Sequence, residues 1–188
     1  MPTVPTHALV ATTMLAWGWR RGWNRKVVFA GVVCAMLPDA DVVGFSLGVR
    51  YGDLLGHRGL SHSLPFAALV ATVAVLLWRL PSGGPIRLKP DPTSVATMPL
   101  WWFLFACVAS HGILDAATDG GLGVAFLSPF SNERYFWPWR PIRVSPISVT
   151  RFFSGRGREV ITTELVWIWL PCAIALAGAY TAIHRRAR

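Results

Sequence analysis

Apolar residues in this chain run in helix-length blocks rather than in alternation. Residues 64–80, 98–117 and 165–183 are long apolar runs, each near the ~20 residues that carry a helix across a bilayer. They predict three full spans. Two shorter stretches, 8–19 and 27–37, flank the basic turn Arg20-Arg21-Gly22-Trp23-Asn24-Arg25-Lys26 and predict a helical hairpin. At ~1.5 Å per residue each arm is marginal for crossing, so the hairpin is expected to span thinly or to be partly re-entrant. Residues 81–99, rich in Pro, Ser, Gly and Thr, predict a loop between spans, and 128–158, with many Pro and aromatic residues, a long loop lying as a cover or along the interface. The fold class that follows is an all-α integral membrane protein. It is a helical bundle of three spans plus a shorter N-terminal hairpin, with residues 1–188 forming a single domain.

Composition agrees. Of 188 residues, 53% are hydrophobic and 14% charged, against about 25% charged in a soluble domain; mean hydropathy is +0.45. Residues 1–6 carry no positive charge, and the arginines follow the first apolar stretch, the reverse of a cleaved signal. The N-terminus is therefore expected to be retained. Ten tryptophans fit interfacial belts, with Trp17, Trp19, Trp23, Trp78, Trp101, Trp102, Trp137, Trp139 and Trp167 near segment ends or in loops. Cys34, Cys107 and Cys172 lie inside apolar runs without metal-type spacing and read as small buried side chains.

Threading the chain through a membrane gathers its polar chemistry. If His7 lies at one face, the first arm of the hairpin leaves that face and the second returns with Asp39 and Asp41. His57 and His62 precede the next span on the same face. The span after that comes back with His111 and Asp115 in its last turns. Seven donors meet there. His111 and Asp115 are i and i+4 and project from one side of a helix. An aspartate near the membrane interior is expensive unless it has a function, so this pair is the default pointer to a site. Pro38-Asp39-Ala40-Asp41 ends an apolar helix and could be an ordinary turn; Ser61 or Ser63 could simply cap the following helix. Imidazole with carboxylate suits zinc, manganese or iron. His184 falls at the opposite face among Arg185, Arg186 and Arg188 and reads as a tail residue.

The motifs His57-Arg58-Gly59-Leu60-Ser61-His62-Ser63, Pro38-Asp39-Ala40-Asp41, His7 and His111-Gly112-Ile113-Leu114-Asp115 resemble, in order, those of the YdjM-like family of LexA-regulated, membrane-bound, metal-dependent hydrolases. The match covers roughly residues 1–130. The family more often has Thr where this chain has Ser61. More distantly, the early His, the Asp pair and the His-x-x-x-Asp helix are similar to the pattern of bacterial zinc-dependent phospholipases C, which implies a phosphoester substrate by analogy. The family resemblance implies a multi-pass protein of the bacterial inner membrane.

Seven donors suffice for two divalent ions sharing a bridging carboxylate, an arrangement suited to metal-assisted hydrolysis. The expected ligands are His7, Asp39, His57, His62, His111 and Asp115, with Asp41 a ligand or the base that orients water. Arg58 is read equally as a contact to a substrate phosphate or as an interface anchor. Asp119 is a reserve carboxylate beside the turn Gly120-Gly121. The net charge of +9 is divided between both faces among greasy segments, which favours anionic lipid headgroups over nucleic acid. Arg20, Arg21, Arg25, Lys26, Arg79, Arg87 and Lys89 sit in short loops at the face opposite the donors, so by the positive-inside rule the donors face outward. A non-catalytic metal-binding membrane protein, a transporter or an assembly factor, is the alternative. A transporter needs donors along a path through the membrane, and here they gather at one end.

Overall fold

The computed structural model describes residues 1–18, 23–80 and 96–186. Part of the predicted basic turn and most of the predicted 81–99 loop lie outside the described residues. Among the described residues there is no strand, only the isolated bridges Thr118 to Ile142 and Val124 to Tyr135. The all-helical fold class is as the hydrophobic pattern predicted.

Helix α1 (Val4–Gly18) and helix α2 (Arg25–Met36) form the predicted hairpin. The Asn24 side chain starts α2 by accepting hydrogen bonds from the Lys26 and Val27 amides, satisfying donors that a first turn leaves open. At Met36 the path does not stop. A 3-10 helix, Leu37–Leu47, carries it on, with Pro38 in its first turn, where the missing N–H costs nothing. Arg25–Leu47 is thereby 23 residues long and apolar enough to cross a membrane, so this arm is not the marginal one. Conversely, the run predicted to span at 64–80 forms α3 (Leu64–Arg79), only 16 residues or ~24 Å at 1.5 Å per residue. Ser63 caps its start by accepting from the Phe66 amide, and the extended backbone of Leu80 ends it. The number of long apolar helices is three, as predicted, with α2 and its extension standing where α3 was expected.

Helix α4 (Thr97–Ala116) is the second long helix and the centre of the bundle, packed against α1, α2 and α3. The third, Gly157–Ala182, comprises α5 (Gly157–Glu164), a π-helical turn (Leu165–Trp169) and most of α6 (Leu170–Arg186). Helical structure already begins at Val149–Arg151 and Phe152–Arg156, so the loop predicted over 128–158 ends earlier than expected. The core between α1, α2, α3 and α4 is built of Ala11, Leu15, Val27, Cys34, Ala67, Ala71, Leu104 and Cys107. Small residues let helices approach where lipid supplies no hydrophobic drive to associate. A Cβ on Gly31 would come 2.5 Å from the Phe103 ring. Trp23 packs on that ring at 4.8 Å and is buried, a core side chain and not the interfacial anchor predicted.

Candidate metal centre

Four helix ends converge because of the direction in which each helix runs. His7 is in the first turn of α1, Asp39 and Asp41 follow the end of α2, His57 and His62 precede α3, and His111 and Asp115 occupy the last turns of α4. All seven predicted donors meet at one end of the bundle. His184 is remote, at the far end of α6 against Tyr180.

Two overlapping groups form there. Asp39, His62, His111 and Asp115 bring one donor atom each within 4.8 Å of one another, as do Asp41, His57 and His62. All the residues of the first group are buried. The His111 Nδ1–H donates to the Ala35 carbonyl at 2.7 Å. A carbonyl only accepts, so the proton belongs on Nδ1, and Nε2 faces Asp39 Oδ1 at 3.1 Å. His62 is set the same way: Nδ1 lies 2.9 Å from Ser61 Oγ and 3.2 Å from Asp41 Oδ2. Its Nε2 lies 3.4 Å from Asp115 Oδ2 and 3.8 Å from Asp39 Oδ1. Two imidazoles thus turn Nε2 toward Asp39, and His62 faces Asp115 as well. His7 stacks on His111, ring centroids 3.7 Å apart and nearly parallel.

Asp41 is occupied differently. It faces His57 Nδ1 at 2.7 Å, accepts from Ser61 Oγ at 2.6 Å, and also receives the Arg58 amide at 3.3 Å. Its oxygens are spent on holding the Nδ1 sides of two histidines, the position of a carboxylate that fixes tautomer and ring orientation behind a metal ligand. Of the two serines that could cap α3, Ser63 does so and Ser61 serves Asp41.

Arg58 is fully buried, with backbone φ of 63°. Nε lies 3.0 Å from Asp115 Oδ2, while its other nitrogens donate to Gly120 O at 2.8 Å and Thr118 Oγ1 at 2.9 Å. The guanidinium is turned inward, neither toward a bulk-exposed substrate nor toward the membrane interface. Gly121 (φ +90°) leaves room for it; a Cβ there would come 2.9 Å from its Nη1. Gly112 likewise lets the loop carrying His62 approach α4, since a Cβ would meet the His62 carbonyl oxygen at 2.7 Å. Asp119 sits apart, paired with Arg143 at 2.6 Å and the Val144 amide at 2.8 Å.

The carboxylates of Asp39, Asp41 and Asp115 gather here, with the buried Arg58 guanidinium at Asp115 Oδ2 and the Met1 amino group 4.0 Å from Asp115 Oδ1. Burial disfavours charge on His62, yet hydrogen bonds to Asp115 and Asp41 prevail and raise its pKa to about 9. The site favours positive charge. Both ring nitrogens of His7 and Asp39 Oδ2 are buried and have no hydrogen-bond partner among the described residues. Buried polar atoms are ordinarily paired, and a divalent cation fits this donor set. The buried His/Asp cluster could hold a metal ion.

The family model described as YdjM inner membrane protein matches residues 1–187. The chain belongs to that family. With three helices long enough to cross a membrane, it is a multi-pass inner membrane protein. It is 42% identical over 172 residues to the Inner membrane protein YbcI of Escherichia coli (strain K12), a match covering 91% of this chain and 92% of that relative. No solved structure matches the chain. One polar residue escaped the sequence reading. Glu164, buried at the head of the last apolar run, accepts from Thr3 N, Thr3 Oγ1 and Thr6 Oγ1, each at 2.6 Å, and so fixes the turn that carries His7. Its signal was a carboxylate abutting a greasy segment.

Proposed function

We propose that this protein is a membrane-bound, metal-dependent hydrolase acting on a phosphoester or lipid-like substrate at the bilayer surface. The observation that carries the reading is the buried, unpartnered ring nitrogens of His7 and Asp39 Oδ2, set among the buried His62, His111 and Asp115 at one bundle end. In this reading Asp39, His62, His111 and Asp115 hold a divalent ion, with His7 stacked alongside as a further donor. Zinc is the first expectation, with manganese and iron behind it. His57 adds a donor toward a second ion. Such ions supply Lewis acidity, an acidified water and a polarised phosphoryl or carbonyl oxygen.

The chain's own residues then divide the remaining work. Asp41 keeps His57 and His62 in the tautomer that frees Nε2, and Arg58 holds Asp115 by one oxygen. Asp39 and Asp41, with side chains 10% and 5% exposed, lie at the edge of the buried cluster, the side from which substrate and water would enter. In this reading the positive-inside rule, applied to the basic residues of the sequence's short loops, favours an outward-facing site.

A non-catalytic metal-binding role is the second reading, favoured by the full burial of His7, His111 and Asp115, since structural sites are closed whereas catalytic ones keep an open position. The two are separated by a phosphoester and lipid hydrolysis screen on the full-length protein, metal-loaded and metal-stripped. Turnover that needs the metal and falls in Asp41→Asn supports the hydrolase. Stoichiometric metal with no phosphoester, ester or amide hydrolysed sinks it.

A further inference from the structure

Beside the cluster lies a cleft of about 660 Å³ that the site chemistry does not use, a size typical of ligand pockets. Its walls are apolar and come from both termini of the fold: Thr3 from the first turns, Val42 from the 3-10 helix, and Phe152, Ile161, Leu165 and Trp169 from the last helical stretch. The polar group at its edge, Glu164, is masked by the threonine hydrogen bonds described above. Val42 directly follows Asp41, and Thr3 is four residues before His7, so one wall of the cleft is the rim of the metal centre.

The cleft is graded along the last helix. Arg158, Ile161 and Leu165 are spaced i, i+3 and i+7, so they share one face of the last helix, and Trp169 continues the row one turn further. Arg158, outside the cleft lining, is exposed at the start of that apolar stretch, and the apolar members that line the cleft follow along the helix. Arg156 is exposed just before it. A cation one turn before an apolar cleft, beside a cluster that could hold a metal ion, suits a membrane phospholipid with an anionic headgroup.

We propose that this cleft is a lipid site. An acyl chain of an anionic phospholipid lies along Ile161, Leu165 and Trp169, Arg158 meets the headgroup charge, and the phosphoester is thereby presented at Asp39 and Asp41. The inference rests on the hydrolase reading only for its last clause; the binding site stands or falls separately. An acyl chain leaving the bilayer for an apolar cleft gains little, because lipid tails are as apolar as the walls. Selectivity therefore comes from the headgroup end, where a single arginine near the surface is worth about fivefold in affinity.

The test uses full-length protein in nanodiscs with phosphatidylglycerol or phosphatidylcholine carrying a diazirine in the acyl chain, read by peptide mass spectrometry on metal-stripped protein. Cross-links at Phe152, Ile161 and Trp169 are expected to exceed those at the exposed Leu76, Leu77 and Ile174, with phosphatidylglycerol ahead of phosphatidylcholine. Leu165→Trp fills the cleft and removes its cross-links; Leu165 is half-exposed, and Ile161→Trp is the second variant should that one fold poorly. Arg158→Ala levels the two lipids. Equal labelling of cleft and bundle surface, or labelling unchanged by both tryptophans, overturns the site. Cleft labelling without hydrolysis on metal loading sinks the hydrolase reading alone; hydrolysis without cleft labelling sinks the lipid site alone.

Discussion

His7→Leu separates a metal ligand from a merely buried histidine. His7 is 1% exposed and neither ring nitrogen has a hydrogen-bond partner among the described residues. Each such atom costs about 1–3 kcal/mol while unsatisfied. Leucine is close in volume and removes both. Against that relief stand the lost stacking on His111, about 0.5–1.5 kcal/mol, and an imperfect fit costing up to about 1.5 kcal/mol. Without metal the substitution should therefore be neutral or stabilising by a few kcal/mol, whereas most buried substitutions destabilise. With metal the sign reverses. An ion at a thousand times its Kd stabilises by about 4 kcal/mol, and a tenfold loss of affinity removes about 1.4 kcal/mol of it. Thermal unfolding of the detergent-solubilised protein, stripped and zinc-loaded, reads both, at about 2–4 °C per kcal/mol for a chain of this length. The stripped variant should melt at or above the parent, and its metal-induced rise should shrink by at least about 3–6 °C. A stripped variant melting more than about 6 °C below the parent while keeping the whole metal-induced rise would refute the reasoning.

Arg58→Met should destabilise the metal-stripped protein by about 3–5 kcal/mol, because it leaves Asp115 buried with its arginine gone; adding Asp115→Leu should restore part of the loss, and strict additivity in the double-mutant cycle would contradict the pairing. Gly112→Ala should push the His62 carbonyl away from α4 and weaken metal binding in a titration by tenfold or more, as loss of ligand support does, whereas unchanged affinity would show that the close approach is unimportant. Cysteines placed in residues 20–26 and in 134–145 should label from opposite sides of the membrane; labelling from one side would overturn the shared-face arrangement.

Hydrophobic block length and the alternating direction of successive segments located the helices and the end at which donors gather, because block length and chain direction are local properties. Pro38 misled, since a proline that ends an α-helix is tolerated in the first turn of the 3-10 helix that follows; the second arm was thereby shortened in the reading. The reach of α3 was overread because apolar residues continue past the point where Leu80 turns extended. Residue type alone placed Asp41 and Arg58 at the site but not their tasks. Asp41 holds Nδ1 atoms of two histidines and Arg58 points inward, and such directions depend on which partner a side chain finds. Glu164 and its threonine partners are 158 and 161 residues apart in sequence, a distance no local pattern spans.

The central claim is that the buried His/Asp cluster binds a divalent metal, and metal content of the purified full-length protein tests it most directly. Mass-spectrometric metal analysis after chelator-free purification, or after reloading with zinc, manganese or iron, should find at least one divalent ion bound per folded chain. His111→Ala and Asp115→Ala should lose it, while His184→Ala keeps it. Folded wild-type protein that remains metal-free under all three loadings would contradict the account.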